Sequence, residues 1–188
     1  MKKAVFLDRD GVINLDKGYV SQIEDFQLID SVISACARLK QMGFLLIVVT
    51  NQSGIARGFY SVEDYLRLTQ WMEKKFADED VYFDKVLYSP DHPDVLKKEC
   101  WDRKPNPGMF LKAKDMFDID MTHSFLVGDK LTDVQAGKNA HVGTNILVKT
   151  GQAFSKKDEE QADYVLESLV DLPALIATIN SEIKEKNC

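Results

Sequence analysis

Residues 4–14 read AVFLDRDGVIN, and the way this stretch is read decides the fold. Four apolar residues, Ala4 to Leu7, run directly into Asp8, Arg9, Asp10 and Gly11. A short apolar run bounded by turn chemistry is a buried strand. In an extended chain successive side chains alternate, so Asp8 and Asp10 share one side and Arg9 takes the other. Two carboxylates that close disfavour each other's ionisation unless a cation or a proton sits between them. DRDG alone is also good turn chemistry. The strand end is a solvated turn or a reaction centre, and the rest of the chain must choose.

Outward from this strand, apolar runs alternate with amphipathic stretches, the signature of a parallel α/β sheet. Residues 30–43 (DSVISACARLKQMG) have helical periodicity, with Asp30 or Ser31 as cap and Gly43 as terminator. Residues 44–51 (FLLIVVTN) are apolar from Phe44 to Val49, as suits a central strand covered on both faces. A helix is predicted over 61–77, opened by a Ser61–Asp64 capping box, and a strand over 83–89. Helix 106–117, with Asn106 as cap and Pro107 in its first turn, precedes strand 123–129, helix 131–140 and strand 144–150. A short strand and an amphipathic helix close the chain over 162–183, and the charged KEKNC tail is expected to fray.

The chain of 188 residues, 45% hydrophobic, can bury one good core and is expected to form a single domain over 1–188. A net charge of -6 argues against broad attraction to nucleic acid or an anionic membrane. MKKAVFLDRDG has too short an apolar run for a signal peptide, and no stretch can span a bilayer. Cys36, Cys100 and Cys188 are scattered and odd in number, which suggests no disulfide framework and a reducing cytoplasm.

In an open parallel sheet all strand carboxyl ends meet at one rim, where ligands bind. That topology gathers Asp8, Asp10, Thr50, Asn51, Asp129 and Asp133. Acids converging on one point call for a cation, and hard oxygen ligands favour Mg²⁺. An ordinary aspartate is already ionised above pH ~4 and needs no base to attack phosphorus. A second aspartate can protonate the departing oxygen and later activate water. Gly11 permits the tight turn between them. Thr50 and Asn51 offer a hydroxyl, an amide and backbone N–H groups to phosphoryl oxygens. Lys104 adds a fixed positive charge beside a helix start.

These residues carry a resemblance. FLDRDGVIN (6–14), VVTNQSGIARG (48–58), RKPNPGM (103–109) and VGDKLTDVQAG (127–137) resemble, in order, the four motifs of the haloacid-dehalogenase (HAD) superfamily phosphatases. They are most similar to the subfamily of heptose bisphosphate and histidinol-phosphate phosphatases. The resemblance implies a Rossmann-like open parallel sheet with helices on both faces, and a capless fold, since neither inter-motif segment is long enough for a cap. It implies a Mg²⁺-dependent phosphomonoesterase working through an aspartyl-phosphate on a small phosphorylated sugar.

The same resemblance makes Asp8 the nucleophile, Asp10 the acid/base, and Thr50 and Lys104 the phosphate-stabilising pair. It assigns Mg²⁺ to Asp8, the main-chain carbonyl of Asp10, and Asp129. Asp16, Lys17, Gly18, Tyr19, Asn51, Gln52, Ser53, Arg103 and Lys130 match substrate-site positions, and residues 88–103 form the specificity loop. In many relatives that loop binds zinc through four ligands. Here the positions are Ser89, Asp91, Cys100 and Asp102, so only Cys100 is retained and structural zinc is not expected. Packing of Pro90, Pro93 and Trp101 is expected to hold the loop instead. Asp133 either orients Lys130 or metal-bound water, or merely occupies a helix's first turn; Arg57 either reaches a phosphate or is a surface arginine.

Heptose 1,7-bisphosphate losing its 7-phosphate is the expected reaction, with histidinol phosphate as the alternative substrate. A receiver-type signalling module also carries a phosphorylated aspartate, but not on its first strand with a second acid two residues on. A monomer is the expected state.

Overall fold

The computed structural model describes residues 1–96 and 100–186. In chain order the elements are β1 (Ala4–Leu7), α1 (Val32–Gln41), β2 (Leu45–Asn51), α2 (Val62–Ala77), β3 (Lys85–Ser89), α3 (Pro93–Leu96) and α4 (Gly108–Phe117). There follow β4 (Phe125–Gly128), α5 (Leu131–Asn139), β5 (Thr144–Val148), α6 (Lys156–Glu159), β6 (Tyr164–Leu166) and α7 (Leu172–Lys186). The strands form one 6-stranded sheet in the order β3-β2-β1-β4-β5-β6, parallel at every pairing. This is the doubly wound order, whose direction reverses beside β1.

Strand alternation builds both layers of the core. Val5, Leu7, Leu46, Val48 and Val127 face one side, where Leu39 of α1, Leu68 and Met72 of α2, and Leu172 and Ile176 of α7 cover them. Ala4, Phe6, Ile47, Val49 and Leu126 face the other, under Met109, Phe110 and Ala113 of α4 and Ala136 of α5. Phe6 and Phe110 rings meet at 4.9 Å. An all-apolar strand is therefore the mark of a sheet with two dry faces.

Every predicted strand and long helix is present, and the differences lie at the ends. The Ser61–Asp64 capping box opens α2 as expected. Helix α1 has no side-chain cap, because Ser31 takes a left-handed conformation at φ 62. Asn106 does not cap α4; its amide donates to the Cys100 carbonyl at 3.2 Å, and Pro107 stands in the cap position. The short helices α3 and α6 fall in segments without helical periodicity. Among the described residues no helix is long and apolar enough to cross a membrane. Of the KEKNC tail, Asn187 and Cys188 lie outside the described residues.

Candidate active site

The carboxyl ends of β1, β2 and β4 converge on a cavity of about 390 Å³. Its floor starts where β1 stops. The Asp8 amide still donates to the Val127 carbonyl of β4 at 3.0 Å, so the carboxylate leaves from a fixed backbone. Gly11 then turns the chain at φ 86, and a Cβ there would lie 2.5 Å from Asp129 Oδ2. Gly151 comes close beside it, since a Cβ at that position would lie 2.1 Å from the same Oδ2. Two glycines thus make room for one buried acid.

Lys104 occupies the centre of the floor, 2% exposed. Its Nζ donates to the Val49 carbonyl at 2.8 Å, and pairs with Asp8 Oδ1 at 3.0 Å and Asp133 Oδ1 at 2.6 Å. Burial alone would lower its pKa, but Asp133 and Asp8 outweigh that and hold it up. The lysine is placed by an amide pair: Asn51 Nδ2 donates to the Lys104 carbonyl and Asn51 Oδ1 accepts from the Lys104 amide, both at 3.0 Å. Asn51 therefore spends its side chain on joining β2 to this segment.

Asp133 belongs to the floor rather than being an incidental first-turn acid. It is 1% exposed, and its Oδ2 accepts from the Lys130 amide at 2.9 Å. Asp8, Asp129 and Asp133 each present an oxygen within 4.8 Å of the others. Burial, then Asp8 and Asp133, push Asp129 up to about 7; burial likewise raises Asp133. Lys130 bridges Asp129 at 3.2 Å and Asp16 at 3.4 Å. Three buried acids at one point, partly answered by two lysines, suit a hard divalent cation.

Asp10 lies on the same cavity, but its surroundings differ from the strand-based expectation. Regular alternation ends with Leu7, and Arg9 folds beneath the turn to grip the Asp10 carboxylate at 2.9 Å. Asn14 Nδ2 adds a bond at 2.9 Å and Gln52 Nε2 one at 3.2 Å. Gln52 also donates to Thr50 Oγ1 at 2.9 Å and accepts from the Tyr60 hydroxyl at 2.7 Å. Burial pushes Tyr60 up to about 12, which keeps it a donor.

The cavity's upper wall is looser. Asp16 Oδ1 accepts from the Gly18 amide at 2.9 Å and its Oδ2 accepts from Gln152 Nε2 at 3.1 Å. Burial alone would raise its carboxyl, but the Gly18 amide, then Lys130 and Gln152, hold it below the usual range. Gly18, Tyr19, Ser53 and Arg103 line the wall. Lys17 is exposed and is not among the lining residues. Tyr19 meets Phe59 edge-on at 4.7 Å. Arg103 Nη1 donates to the Asp91 carbonyl at 3.1 Å, and burial, then Arg57, lower its pKa. Arg57 itself donates to His92 Nε2 at 2.8 Å. Trp101 is 53% exposed and Pro93 is exposed, so their packing does not hold the 88–103 loop. Arg103, Asn106 and an Asp102–Lys112 ion pair do.

Sequence inspection missed Asn14, Tyr60 and Gln152, which join the site only through loop folding, and Thr132, in the first turn of α5. Tyr60 had a weak signal, since it ends the segment that returns from the second motif into α2.

The HAD-hydrolase-like family profile matches residues 101–172. A D-glycero-beta-D-manno-heptose-1,7-bisphosphate 7-phosphatase from Photorhabdus laumondii is 52% identical over 180 residues, 94% of this chain and 96% of that protein. The chain belongs to the HAD-like heptose-bisphosphate phosphatase family. A second family member of the same name, from Pasteurella multocida, is 50% identical over 96% of this chain and 100% of its own. The crystal structure of D,D-heptose 1,7-bisphosphate phosphatase from B. bronchiseptica, complexed with magnesium and phosphate, superposes with a TM-score of 0.83 at 30% identity. That superposition covers 94% of this chain and 98% of the other. Membership of this phosphatase family gives the acid cluster an enzymatic setting and separates the chain from receiver modules.

Proposed function

We propose that this phosphatase removes the 7-phosphate of D-glycero-D-manno-heptose 1,7-bisphosphate through a phosphoryl group carried on Asp8. The observation that carries this reading is the buried set of Asp8, Lys104, Asp129 and Asp133 at the sheet rim. Asp8 and Asp129 would hold Mg²⁺ together with the main-chain carbonyl of Asp10. Asp133 lies close enough to ligate directly or through water, and the all-oxygen donor set suits that ion. When bound, the cation supplies charge neutralisation for the carboxylates and the transferring phosphoryl group.

In the first step an Asp8 oxygen attacks phosphorus, and the bond from phosphorus to the sugar oxygen breaks. Asp10 gives that oxygen its proton. In the second step water attacks the same phosphorus, Asp10 takes the water proton, and the bond to Asp8 breaks. Thr50, whose oxygen accepts from Gln52, keeps its own O–H to donate to a phosphoryl oxygen. Lys104 holds its ammonium in place before charge moves, so no reorganisation is needed at the moment of transfer. Arg103 and its segment meet the far end of the substrate, with the Arg103 guanidinium tied to the Asp91 carbonyl. The compact capless design is compatible with a monomer, and three scattered cysteines suit a reducing cytoplasm.

The test is kcat/KM for both heptose bisphosphate anomers, histidinol phosphate and generic sugar phosphates, with acid-quenched enzyme analysed by mass spectrometry. The expected result is preference for a heptose bisphosphate, a product retaining its 1-phosphate, and one phosphoryl mass on the peptide containing Asp8. Preference for histidinol phosphate overturns the substrate, and phosphorylation elsewhere overturns the nucleophile.

A further inference from the structure

Arg9 is the least expected group near the reaction centre. It stands between two acids that the chemistry uses, yet it is 1% exposed. Its guanidinium lies over the rings of Phe26 and Tyr65, 5.8 and 5.9 Å from their centroids. Its only ion pair among the described residues is with Asp10. Nη2 has two hydrogens and three acceptors in reach: the Val20 carbonyl at 2.7 Å and the two Asp10 oxygens at 2.9 Å each. Nε adds a fourth contact, to Asp10 Oδ1 at 3.3 Å.

A cation buried this deeply costs several kcal/mol in lost hydration unless it is well paired. Methionine or leucine would fill the space between Phe26 and Tyr65 without that cost. What the guanidinium adds is a planar two-point grip on one carboxylate, which lysine, a point charge, does not reproduce. The same nitrogen that holds Asp10 also holds Val20, the residue immediately after the Asp16–Tyr19 segment on the cavity wall. One end of that segment and the orientation of Asp10 therefore share a single anchor.

We propose that Arg9 is a positioning residue for Asp10, aiming its carboxyl at the leaving oxygen and tying that aim to the 16–19 segment through the Val20 carbonyl. The proposal rests on the assignment of Asp10 as acid/base. Arg9 touches neither substrate nor phosphorus; it acts through its neighbour, and a misplacement of about 1 Å there can cost ~10²-fold in rate.

Leaving-group dependence tests it. p-Nitrophenolate departs with little need of a proton, whereas a sugar alkoxide depends on one. Single-turnover release of the leaving group isolates the first step. Arg9→Lys and Arg9→Met are expected to slow the sugar phosphate about 10- to 100-fold and p-nitrophenyl phosphate less than about threefold. KM for the sugar phosphate should stay nearly constant, and thermal melts check that the variants fold. Asn14→Ala, which removes one contact to Asp10 and spares the Val20 anchor, should give a smaller loss of the same selectivity. Equal losses on both leaving groups, or no loss on either, overturn the proposal.

A measurement on the unaltered arginine covers the case in which its variants do not fold. In ¹⁵N spectra the Arg9 side chain should give a resolved, slowly rotating Nη2 signal, which Asp10→Asn shifts or averages. An Nη2 signal already averaged in the wild type overturns the grip. Asp10→Asn on the same two esters tests the parent assignment: a variant that slows both equally, or neither, refutes Asp10 as the acid, whereas a selective loss in Asp10→Asn that the Arg9 variants lack refutes only the positioning role, so the two failures are distinguishable.

Discussion

The cavity has a floor and a mouth, and they are built on opposite plans. On the floor, Asp8, Thr50, Lys104, Asp129 and Asp133 are at most 5% exposed, and the three acids and the lysine are held by partners from separate segments. At the mouth, Tyr19 and its ring partner Phe59 are 48% and 58% exposed, and Lys17 and Arg57 are exposed. Floor positions follow from sheet topology and tolerate little displacement, because buried charges must stay paired. Mouth positions ride on loops, and their changes unpair no buried charge. On the proposed assignment the phosphoryl chemistry belongs to the scaffold and substrate choice to the loops, so changes on the two levels should fail differently.

The severest test of the floor is Asp8→Asn. It keeps volume and hydrogen-bonding capacity but removes the attacking charge, so kcat for phosphate release with Mg²⁺ should fall about 10⁴-fold or more. The fold should persist. Substantial retained turnover would mean that the floor serves some other nucleophile.

Lys104→Met comes next, because it strips the cation from two buried carboxylates. Breaking a buried pair in this way costs about 3–5 kcal/mol of stability. Loss of a preorganised positive charge should lower kcat by about 10²- to 10³-fold. Adding Asp133→Asn to that variant should recover part of the stability, read by urea denaturation, and none of the turnover. If both return together, the lysine is a structural counter-ion and the comparison between floor and mouth loses its basis.

The same contrast explains what could be read from residues alone. Apolar runs such as 44–49 announce buried strands because two dry faces demand them, and acids at a strand end stand out against that background. Lys104 was accessible only through its motif context, since by itself it reads equally as a solvated surface lysine. Asn14, Gln152 and the grip of Arg9 on Asp10 were not, because loop closure creates them. Alternation, which assigned Arg9 to the far side, holds only while the chain stays extended, and β1 ends at Leu7. Asn51 lines the cavity as its place at the rim suggested, but the use of its amide in pairing with the Lys104 backbone was not legible. The loop that keeps one of four zinc-ligand positions was expected to pack, and its described residues are tied by hydrogen bonds and an ion pair that leave no periodic trace.

Metal binding probes the floor more gently. Asp129 is pushed up to about 7, and Asp133 is also raised, whereas both ionise near ~4 in an unfolded chain. For acids raised on folding, protonation favours the native state. That contribution is complete below ~4 and is lost as pH climbs through about 7. A divalent cation replaces the proton. The rise in Tm on adding Mg²⁺ should therefore grow from about pH 5 to about pH 8, and binding should release protons. With Mg²⁺ at ~100 times its Kd the gain is about 2.7 kcal/mol, some 5–11 °C for a chain of this size. A pH-independent gain would place the cation away from these acids.

The mouth should respond in KM rather than in kcat or Tm. Arg103 is half-buried, lines the cavity and has no carboxylate partner among the described ion pairs. Arg103→Ala should raise KM for a bisphosphate about 10- to 100-fold, the cost of one charged hydrogen bond. Lys17→Ala is the smallest case and the one that sharpens the comparison most. Its side chain is exposed and off the cavity wall, so KM should change by no more than about threefold, with Tm unmoved. A tenfold rise would mean that the 16–19 segment swings inward over bound substrate. The mouth would then be a closing element, and the Val20 anchor beneath it would carry that movement to Asp10 on the floor.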